Sequence, residues 1–273
     1  MDKSRITAAI WPWGTTKREQ MEQAAKEISE IGYECFESVK AAIYAYDLDL
    51  NAYKEVCDRN NIKPVSFYYH LPRFDSGIDI FATLDQELDF ISRLGVKRVC
   101  LQATNGRPDE MTPENMQMEL DLIARLAERT KDFDIKTNLH PHNNTWVMYE
   151  NEIDYIMESV APETLAFAPD TAHLVAGKCD PVAVIKKYLD RVNFTHFKDI
   201  QDSNVESAGW ASAGMEVYTN FCELGKGCVD FRAVFDLLKS VNYDGPLCEE
   251  LDSPPVSNAE TARNNYHYLL NNY

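Results

Sequence analysis

The chemistry that this chain could perform is indicated first by its histidines. The 273-residue sequence has six, and five of them stand at or just after the ends of short apolar runs. Any one such histidine is more often structural than a ligand, but five in equivalent positions indicate a shared site. Carboxylates follow several of the same runs. Imidazole and carboxylate together suit Mn²⁺, Co²⁺, Zn²⁺ or Fe²⁺, whereas Ca²⁺ prefers oxygen alone. The five histidines are His70, His140, His142, His173 and His196.

The spacing within two pairs of these residues limits which side chains can reach a common point. The stretch "NLHPHNNTW" places His140 and His142 either side of Pro141. Both have the same parity on an extended strand, but the proline and the end of the run make His142 the less certain ligand. Glu249 and Glu250 have opposite parity, so only one of them can face the site. Spacing alone does not decide between them.

The elements that would position these residues are eight short β-rich runs, each followed by a helical pattern at roughly 30-residue spacing. Gly32, Gly95 and Gly245 each mark the return to a strand. Repeated strand–helix units without a break in composition predict a single-domain (β/α)8 barrel over residues 1–273. An open doubly wound sheet is the alternative, but no G-x-G-x-x-G follows the first strand. In a barrel, the polar residues at strand ends share one rim.

One predicted connection is unusually long. Residues 199–228, after the seventh strand, form a loop of about 30 residues where two to six are usual. Such a loop is typical of a lid over a barrel mouth. The alternative is a loop that extends over the protein surface or forms a subunit contact.

Further residues at the predicted rim are expected to bind substrate. Aromatic rings there could stack on the apolar face of a substrate ring, although each alone is better explained by packing. The segment "IWPWG" is the strongest of these signals, because two tryptophans flank a proline at a strand end. The expected substrate-binding residues are Trp11, Trp13, Glu37, Tyr69, His70, Gln102 and Trp146.

Composition excludes several classes of partner. A net charge of −17 repels phosphate backbones, and no basic run offsets it, so no nucleic acid partner is expected. No segment approaches the roughly 20 apolar residues of a membrane span, and the N-terminal apolar run is too short for a signal peptide. Seven cysteines lie scattered without a C-x-x-C pair, as in reduced cytosolic proteins. The sequence therefore predicts a cytoplasmic protein with a small-molecule substrate.

Three segments resemble the sugar isomerase/epimerase superfamily, whose fold is a xylose isomerase-like barrel. They are "FAPDTAHLVAGKCDP", "RVNFTHFKDI" and "GKGCVDFRAVFDLLKSVNYDGPLCEEL". The order D-x-x-H, H-x-K-D, G-x-G-x-[VI]-D-[FW] and a last-strand Glu is specific when all four occur together. The resemblance spans essentially the whole chain and is strongest over residues 135–252. Within it, "LHPHNNTW" is most similar to the inosose dehydratase branch, whereas most epimerases carry Glu at the end of strand five.

The resemblance implies one divalent metal ion, with Mn²⁺ expected and Co²⁺, Zn²⁺, Fe²⁺ or Mg²⁺ as alternatives. Glu250 is preferred over Glu249 because it lies five residues after Gly245, as the family's last-strand Glu does. His173 would contact substrate oxygens, and Lys198 would do the same or position the loop. Family members are commonly dimers or tetramers, so a homo-oligomer is implied. The implied metal ligands are His140, Asp170, His196 and Glu250.

His140 also bears on the reaction. Epimerases of this superfamily use two carboxylates on opposite faces of the substrate, and a metal-bound histidine cannot easily replace one of them. One base, Glu250 or a nearby histidine, beside a Lewis-acidic ion suits enolisation followed by loss of a β-oxygen, or proton return on the same face. His142, His173 or Tyr69 would protonate the leaving oxygen. We therefore expect proton abstraction next to the carbonyl of a keto-sugar, keto-glycoside or inosose, with a lean to lyase over isomerase or epimerase chemistry.

Two other functions fit the barrel less well. A metallo-hydrolase of the apurinic endonuclease type needs more metal ligands and a basic surface, which the charge of −17 disfavours. A non-catalytic sugar-binding barrel would be expected to lose a ligand, yet every motif is intact. Removing the metal separates these readings, because a binder keeps its affinity while an enzyme loses turnover.

Overall fold

A computed structural model describes residues 2–201 and 220–273. Its main sheet has eight parallel strands, hydrogen-bonded in the order β6-β5-β4-β3-β2-β1-β8-β7. Each strand lies where the sequence predicts one. The strands are β1 (Ile6–Ala9), β2 (Cys35–Val39), β3 (Lys63–His70), β4 (Arg98–Gln102), β5 (Lys136–His140), β6 (Leu165–Phe167), β7 (His196–Phe197) and β8 (Leu247–Glu249).

The two outer strands of this order, β6 and β7, meet through isolated bridges instead of a continuous ladder. Phe167 pairs with Val192, and Asp170 pairs with His196, both in parallel. The backbone N–H of His196 donates to the carbonyl oxygen of Pro169 at 2.9 Å. This junction, which we call the β6–β7 seam, closes the sheet and confirms the predicted (β/α)8 barrel.

Helices follow each strand and cover the outside of the barrel. All eight predicted helices form, and two short ones, α2 and α7, were not predicted. Within the described residues, no helix combines the length and the apolar character that crossing a membrane requires. The helices are α1 (Arg18–Ile31), α2 (Lys40–Ala45), α3 (Leu50–Arg59), α4 (Phe81–Arg93), α5 (Pro113–Lys131), α6 (Glu150–Ser159), α7 (Thr171–Ala176), α8 (Pro181–Lys187), α9 (Phe231–Ser240) and α10 (Asn258–Asn272).

Apolar periodicity explains how the helices pack on the strands. In α1, Met21, Ala24 and Ile28 recur on one face and are fully buried. They join one continuous core cluster with strand residues such as Ile6 and Phe36. This packing leaves the C-terminal ends of the strands as the rim where polar side chains collect.

The predicted long loop after β7 is anchored at both ends, while its central residues 202–219 lie outside the described part of the chain. Asp199–Ile200 pairs antiparallel with Phe221–Cys222. The Asp199 carboxylate accepts backbone N–H groups from Gly225 at 3.0 Å, Gly227 at 2.8 Å and Val229 at 3.1 Å. The aspartate of the H-x-K-D motif thus binds the backbone of the G-x-G motif, and this contact fixes the end of the loop.

Gly227→Ala is expected to lower the free energy of unfolding by about 1–3 kcal/mol. A Cβ atom at this position would lie 2.3 Å from the carbonyl oxygen of Ile200 and 2.4 Å from Oδ1 of Asp199, so the backbone must move. Urea unfolding measures the change. Gly77→Ala is a comparison without a steric clash: its Cβ would meet nothing within 4 Å, and its cost comes from a left-handed backbone (φ 70°) that Gly227 does not have. A Gly227→Ala protein as stable as the wild type would contradict the packing described.

Candidate active site

The four implied metal ligands converge at the C-terminal mouth of the barrel. Nδ1 of His140, at the end of β5, lies 3.1 Å from Nδ1 of His196. The same His196 nitrogen lies 3.4 Å from Oε2 of Glu250, directly after β8. Asp170 is paired with His196 across the β6–β7 seam. All four side chains are buried.

Their donor atoms fit a divalent cation. Metal–nitrogen bonds of about 2.0–2.1 Å place neighbouring ligand atoms of a tetrahedral ion roughly 3.3 Å apart. The separation of 3.4 Å between Nδ1 of His196 and Oε2 of Glu250 is close to this value. In the described part of the chain, Nε2 of His140, Oδ2 of Asp170 and Oε2 of Glu250 are buried without a hydrogen bond. Buried polar atoms are normally bonded, so three such atoms in one cluster are the feature that a cation would satisfy. Ligand atoms of Asp170, Glu250 and the nearby His173 also lie within 4.8 Å of one another.

Burial keeps three histidines at the candidate ligands, His140, His142 and His173, in the neutral form. Burial and the neighbouring His196 lower the pKa of His140 well below its ordinary value. Burial and then Lys198 lower the pKa of His142 to about 4. Nδ1 of His142 lies 2.8 Å from the carbonyl oxygen of Asn143 and donates to it, which leaves the lone pair on Nε2. Neutral imidazoles with free lone pairs are the form that binds metals and accepts protons.

Lys198 is the buried cation of the site. Its Nζ contacts Oε1 of Glu250 and lies 2.7 Å from Oδ2 of Asp252, 3.5 Å from Oδ2 of Asp170 and 3.1 Å from Nε2 of His173. Burial alone would lower the pKa of Lys198, but the surrounding carboxylates raise it well above its ordinary value. Three carboxyl groups therefore surround a single ammonium group. Burial raises the pKa of Glu250 well above its ordinary value although Lys198 opposes the shift, and a further cation would favour the ionised form.

Glu37 lies beneath the site, not in the cavity as expected for a substrate-binding residue. Its side chain is fully buried, contacts Nε2 of His196, and accepts a hydrogen bond from Oγ of Ser66 at 2.7 Å. A carboxylate at Nε2 holds the proton there and leaves Nδ1 of His196 as the lone-pair nitrogen facing the cluster. The structure thus corrects the expected role of Glu37 to that of a positioning residue.

A cavity of about 390 Å³ opens beside the candidate ligands. Trp11 lies across from Tyr68 with ring centroids 5.0 Å apart, and its Nε1 donates to Asp252 at 3.2 Å. Four of the expected substrate or acid–base residues line the wall together with Glu250. They are Trp11, His70, Gln102 and His142.

Tyr69 faces away from the cavity, which corrects the expectation that it binds substrate or protonates a leaving group. Its hydroxyl donates to Oε2 of the buried Glu87 at 3.0 Å, on the helical side of β3. Successive residues of a strand point to opposite faces, and it is the neighbouring Tyr68 that points inward.

Trp13 and Trp146 are likewise absent from the cavity lining. Trp13 is buried, and its Nε1 donates to Oε2 of Glu27 on α1 at 2.6 Å. Trp146 is buried against Phe74, with ring centroids 4.4 Å apart. Both expectations of substrate binding are corrected, because packing and hydrogen bonding account for the two rings.

Alternation along β8 separates its two glutamates. Glu249 points to the helices, where it accepts from the Tyr33 hydroxyl at 3.0 Å and from Nδ2 of Asn265 at 2.7 Å. Glu250 points to His196 and Lys198. The structure brings only Glu250 to the site.

Nine residues of the cavity wall were not among the expected site residues, and Asp252, Lys40 and Asn143 show why. Asp252 shares the parity of Glu250, so alternation could have found it. Lys40 begins the unpredicted helix α2, and Asn143 lies in a loop, so no periodic signal marked either. All three line the cavity.

Comparison with known proteins agrees with this architecture. The sequence model described as "Xylose isomerase-like TIM barrel" matches residues 25–271. An inosose dehydratase of Clostridium beijerinckii is 25% identical over 285 residues, covering 94% of this chain and 93% of that protein. A probable 3-DHS dehydratase involved in petrobactin synthesis in Bacillus anthracis superimposes with a TM-score of 0.78 at 13% identity, covering 98% of this chain and 100% of that one. The IOLI protein, solved with a bound zinc atom, gives 0.77 at 16% identity and coverages of 97% and 96%. The chain belongs to the xylose isomerase-like TIM barrel family.

Proposed function

We propose that this protein is a divalent-metal-dependent carbohydrate lyase or isomerase, with a lean to dehydratase chemistry. It would act on a keto-sugar, keto-glycoside or inosose by removing a proton next to the carbonyl. The observation that carries the proposal is that Nε2 of His140, Oδ2 of Asp170 and Oε2 of Glu250 are buried at the barrel mouth without a hydrogen bond to the described residues. The inosose dehydratase of Clostridium beijerinckii, similar over nearly the full length of both chains, supports the substrate class.

The ion would be held by His140, Asp170, His196 and Glu250. Bound there, it would polarise the carbonyl oxygen of the substrate and stabilise the enolate. The IOLI protein, which has the same fold, was solved with a bound zinc atom, and this supports the proposal of a divalent ion. We propose Mn²⁺, with Co²⁺, Zn²⁺, Fe²⁺ and Mg²⁺ as alternatives, because the ligand set mixes imidazole with carboxylate.

The chain's own residues supply the proton transfers. Glu250 accepts the proton from the carbon next to the carbonyl, and negative charge develops on the substrate oxygen. The ammonium group of Lys198, which contacts the carboxylates of Glu250 and Asp252, is a hydrogen-bond donor beside this base. When the β C–O bond breaks, the leaving oxygen takes a proton from the ammonium group of Lys198. His173 would contact substrate oxygens without serving as the acid, because burial and then His142 lower its pKa well below the ordinary value and leave it neutral. His142, neutral and with its lone pair on Nε2, is an acceptor at neutral pH instead of the acid.

A ketose isomerase or epimerase is the second candidate. Asp252 is a further carboxylate on the cavity wall and is within two residues of Glu250. Both carboxylates contact Nζ of Lys198 and therefore lie on one side of the site, which would allow a proton to be removed and returned on the same face of the substrate, as in a ketose isomerisation. The product distinguishes the reactions, because elimination creates an alkene or enol while epimerisation creates a stereoisomer.

The experiment is deuterium exchange followed by NMR. Metal-free protein is loaded with Mn²⁺, Co²⁺ or Mg²⁺ and incubated in D₂O with inososes, keto-sugars and 3-keto-glucosides. We expect metal-dependent deuterium incorporation at one carbon next to the carbonyl. Absence of exchange with every substrate and metal would refute the enzyme and favour a sugar-binding barrel.

Phosphorylated ketoses are expected to be poor substrates, with kcat/KM at least about tenfold below that of the unphosphorylated sugar. The wall carries the carboxylates of Glu250 and Asp252, and its lysine, Lys40, is paired with Glu87 at 3.0 Å. The sequence of residues 202–219 adds no lysine or arginine. Steady-state kinetics on matched sugar and sugar-phosphate pairs measure the ratio, and equal values would contradict this charge argument.

A further inference from the structure

Lys40 is among the residues that line the cavity, on the opposite side of the barrel from Asp170. It directly follows β2, which is four places from β6 in the eight-stranded order and two places from β8, the strand that precedes Glu250. Strands half a barrel apart face each other across the mouth. A substrate whose carbonyl lies at the metal ligands would therefore present its remote atoms to Lys40.

A buried carboxylate fixes the position of this lysine. Glu87 on α4 is fully buried, and its Oε1 lies 3.0 Å from Nζ of Lys40. The same carboxylate accepts hydrogen bonds from the hydroxyls of Tyr44, Thr83 (2.7 Å) and Tyr69 (3.0 Å). Burial and then Glu87 raise the pKa of Tyr69 well above its ordinary value, so this hydroxyl stays a donor. Lys40 is thus held by a network that is itself rigid.

The same network removes the net charge from this side of the cavity. One ammonium group faces one carboxylate, and the adjacent His70 is neutral because burial and Lys40 lower its pKa. An ammonium group has three N–H donors, and Glu87 engages one of them. What remains is a set of hydrogen-bond donors without excess positive charge, which suits hydroxyl groups better than phosphate.

We propose that Lys40 and His70 form a distal subsite that binds the hydroxyls of the substrate remote from its carbonyl. This inference rests on the proposed function in taking a polyhydroxy ketone as the ligand. In an inosose ring, both carbons next to the carbonyl carry acidic protons, so chemistry alone does not choose between them. Anchoring the far hydroxyls decides which of the two faces Glu250. Lys40 is then a specificity-determining residue, and Glu87 is its positioning residue.

Calorimetry with an unreactive cyclitol, inositol, tests the subsite on the metal-loaded protein. Lys40→Met is expected to raise Kd by about 10- to 100-fold, the usual effect of losing a hydrogen bond to a charged donor. Lys40→Arg is expected to recover at least part of the affinity. Lys97→Met is the matched control, because Lys97 also forms an ion pair, with Asp134 at 2.5 Å, but lies outside this cavity. Lys40→Gln provides the same comparison if Lys40→Met does not fold.

Deoxy-cyclitols separate a binding role from a purely structural one. The wild type is expected to bind a cyclitol lacking one remote hydroxyl at least about tenfold more weakly than inositol, and Lys40→Met is expected to lose this discrimination. For a turned-over inosose, KM should rise in Lys40→Met by a larger factor than kcat falls. A Lys40→Met protein that keeps the discrimination, or that binds inositol like Lys97→Met, would overturn the subsite.

These results are separable from failure of the proposed function. Cyclitol binding that depends on Lys40, without turnover of any ketone, would refute the proposed enzymatic activity and support the subsite. Turnover that is insensitive to Lys40→Met would retain the enzyme and refute the subsite. A wild-type protein that binds no cyclitol would refute the subsite directly.

Discussion

Glu250→Gln is expected to reduce metal-dependent deuterium exchange at the substrate carbon by about 10³-fold or more. The substitution removes the base and one of the four proposed metal ligands together. It also removes a negative partner of the buried Lys198 ammonium. Exchange is measured by NMR in D₂O, and bound metal is measured by elemental analysis after gel filtration. We expect the variant to retain less metal than the wild type.

Glu249→Gln is the matched control for this experiment. It makes the same chemical change one residue earlier, on the strand face that points to Tyr33 and Asn265 instead of the site. Exchange and metal content should stay within about threefold of the wild type. Equal losses in the two variants would show that the orientation of β8 described here does not determine the activity.

The same Glu249→Gln variant is expected to change the pH dependence of stability. Burial raises the pKa of Glu249 to about 8, although hydrogen bonds from Asn265 and Tyr33 oppose the shift, while the ordinary value is 4.5. Below pH 4.5 the carboxyl is protonated in the folded and unfolded states alike, and its contribution to stability is complete. Between pH 4.5 and 8 only the unfolded state ionises, so the stability falls as the pH rises.

Each pH unit in this window costs about 1.4 kcal/mol, so the total reaches a few kcal/mol, on the order of 4, near pH 8. Glutamine cannot ionise, and the variant should therefore gain stability relative to the wild type as the pH rises from 5 to 8. Urea unfolding at several pH values gives the difference between the two proteins, in which the other titrating groups cancel. A constant difference across the range would show that Glu249 ionises normally.

The repeated order of strand and helix along the sequence was sufficient to predict the barrel. Eight strand–helix units placed the strands correctly, because burial on both faces of a parallel sheet leaves a strong apolar signal. This order does not show which side chains point into the barrel where each strand ends. Within "FYYH", the sequence does not say whether Tyr68 or Tyr69 points inward, and the structure assigns Tyr68.

Other site residues could not be predicted because their roles depend on contacts between distant elements. Glu37 stands at the end of its strand like a substrate-binding residue, but its contact with His196, from a strand three places away in the barrel, gives it a different role. Lys40 becomes informative only when the buried Glu87, on another helix, is seen beside it. Such pairings are set by tertiary packing, which no local pattern encodes.

The β6–β7 seam links folding to the site. The other neighbouring strands of the barrel pair over two or more residues, whereas this junction relies on isolated bridges, and one of them joins Asp170 to His196. Both residues are proposed ligands, so a bound cation would cross-link the two edges of the sheet where the backbone joins them least. Closing the ring and assembling the metal centre then become a single cooperative event. Substitutions that loosen this seam would consequently register as losses of metal affinity, even when no ligand has been changed.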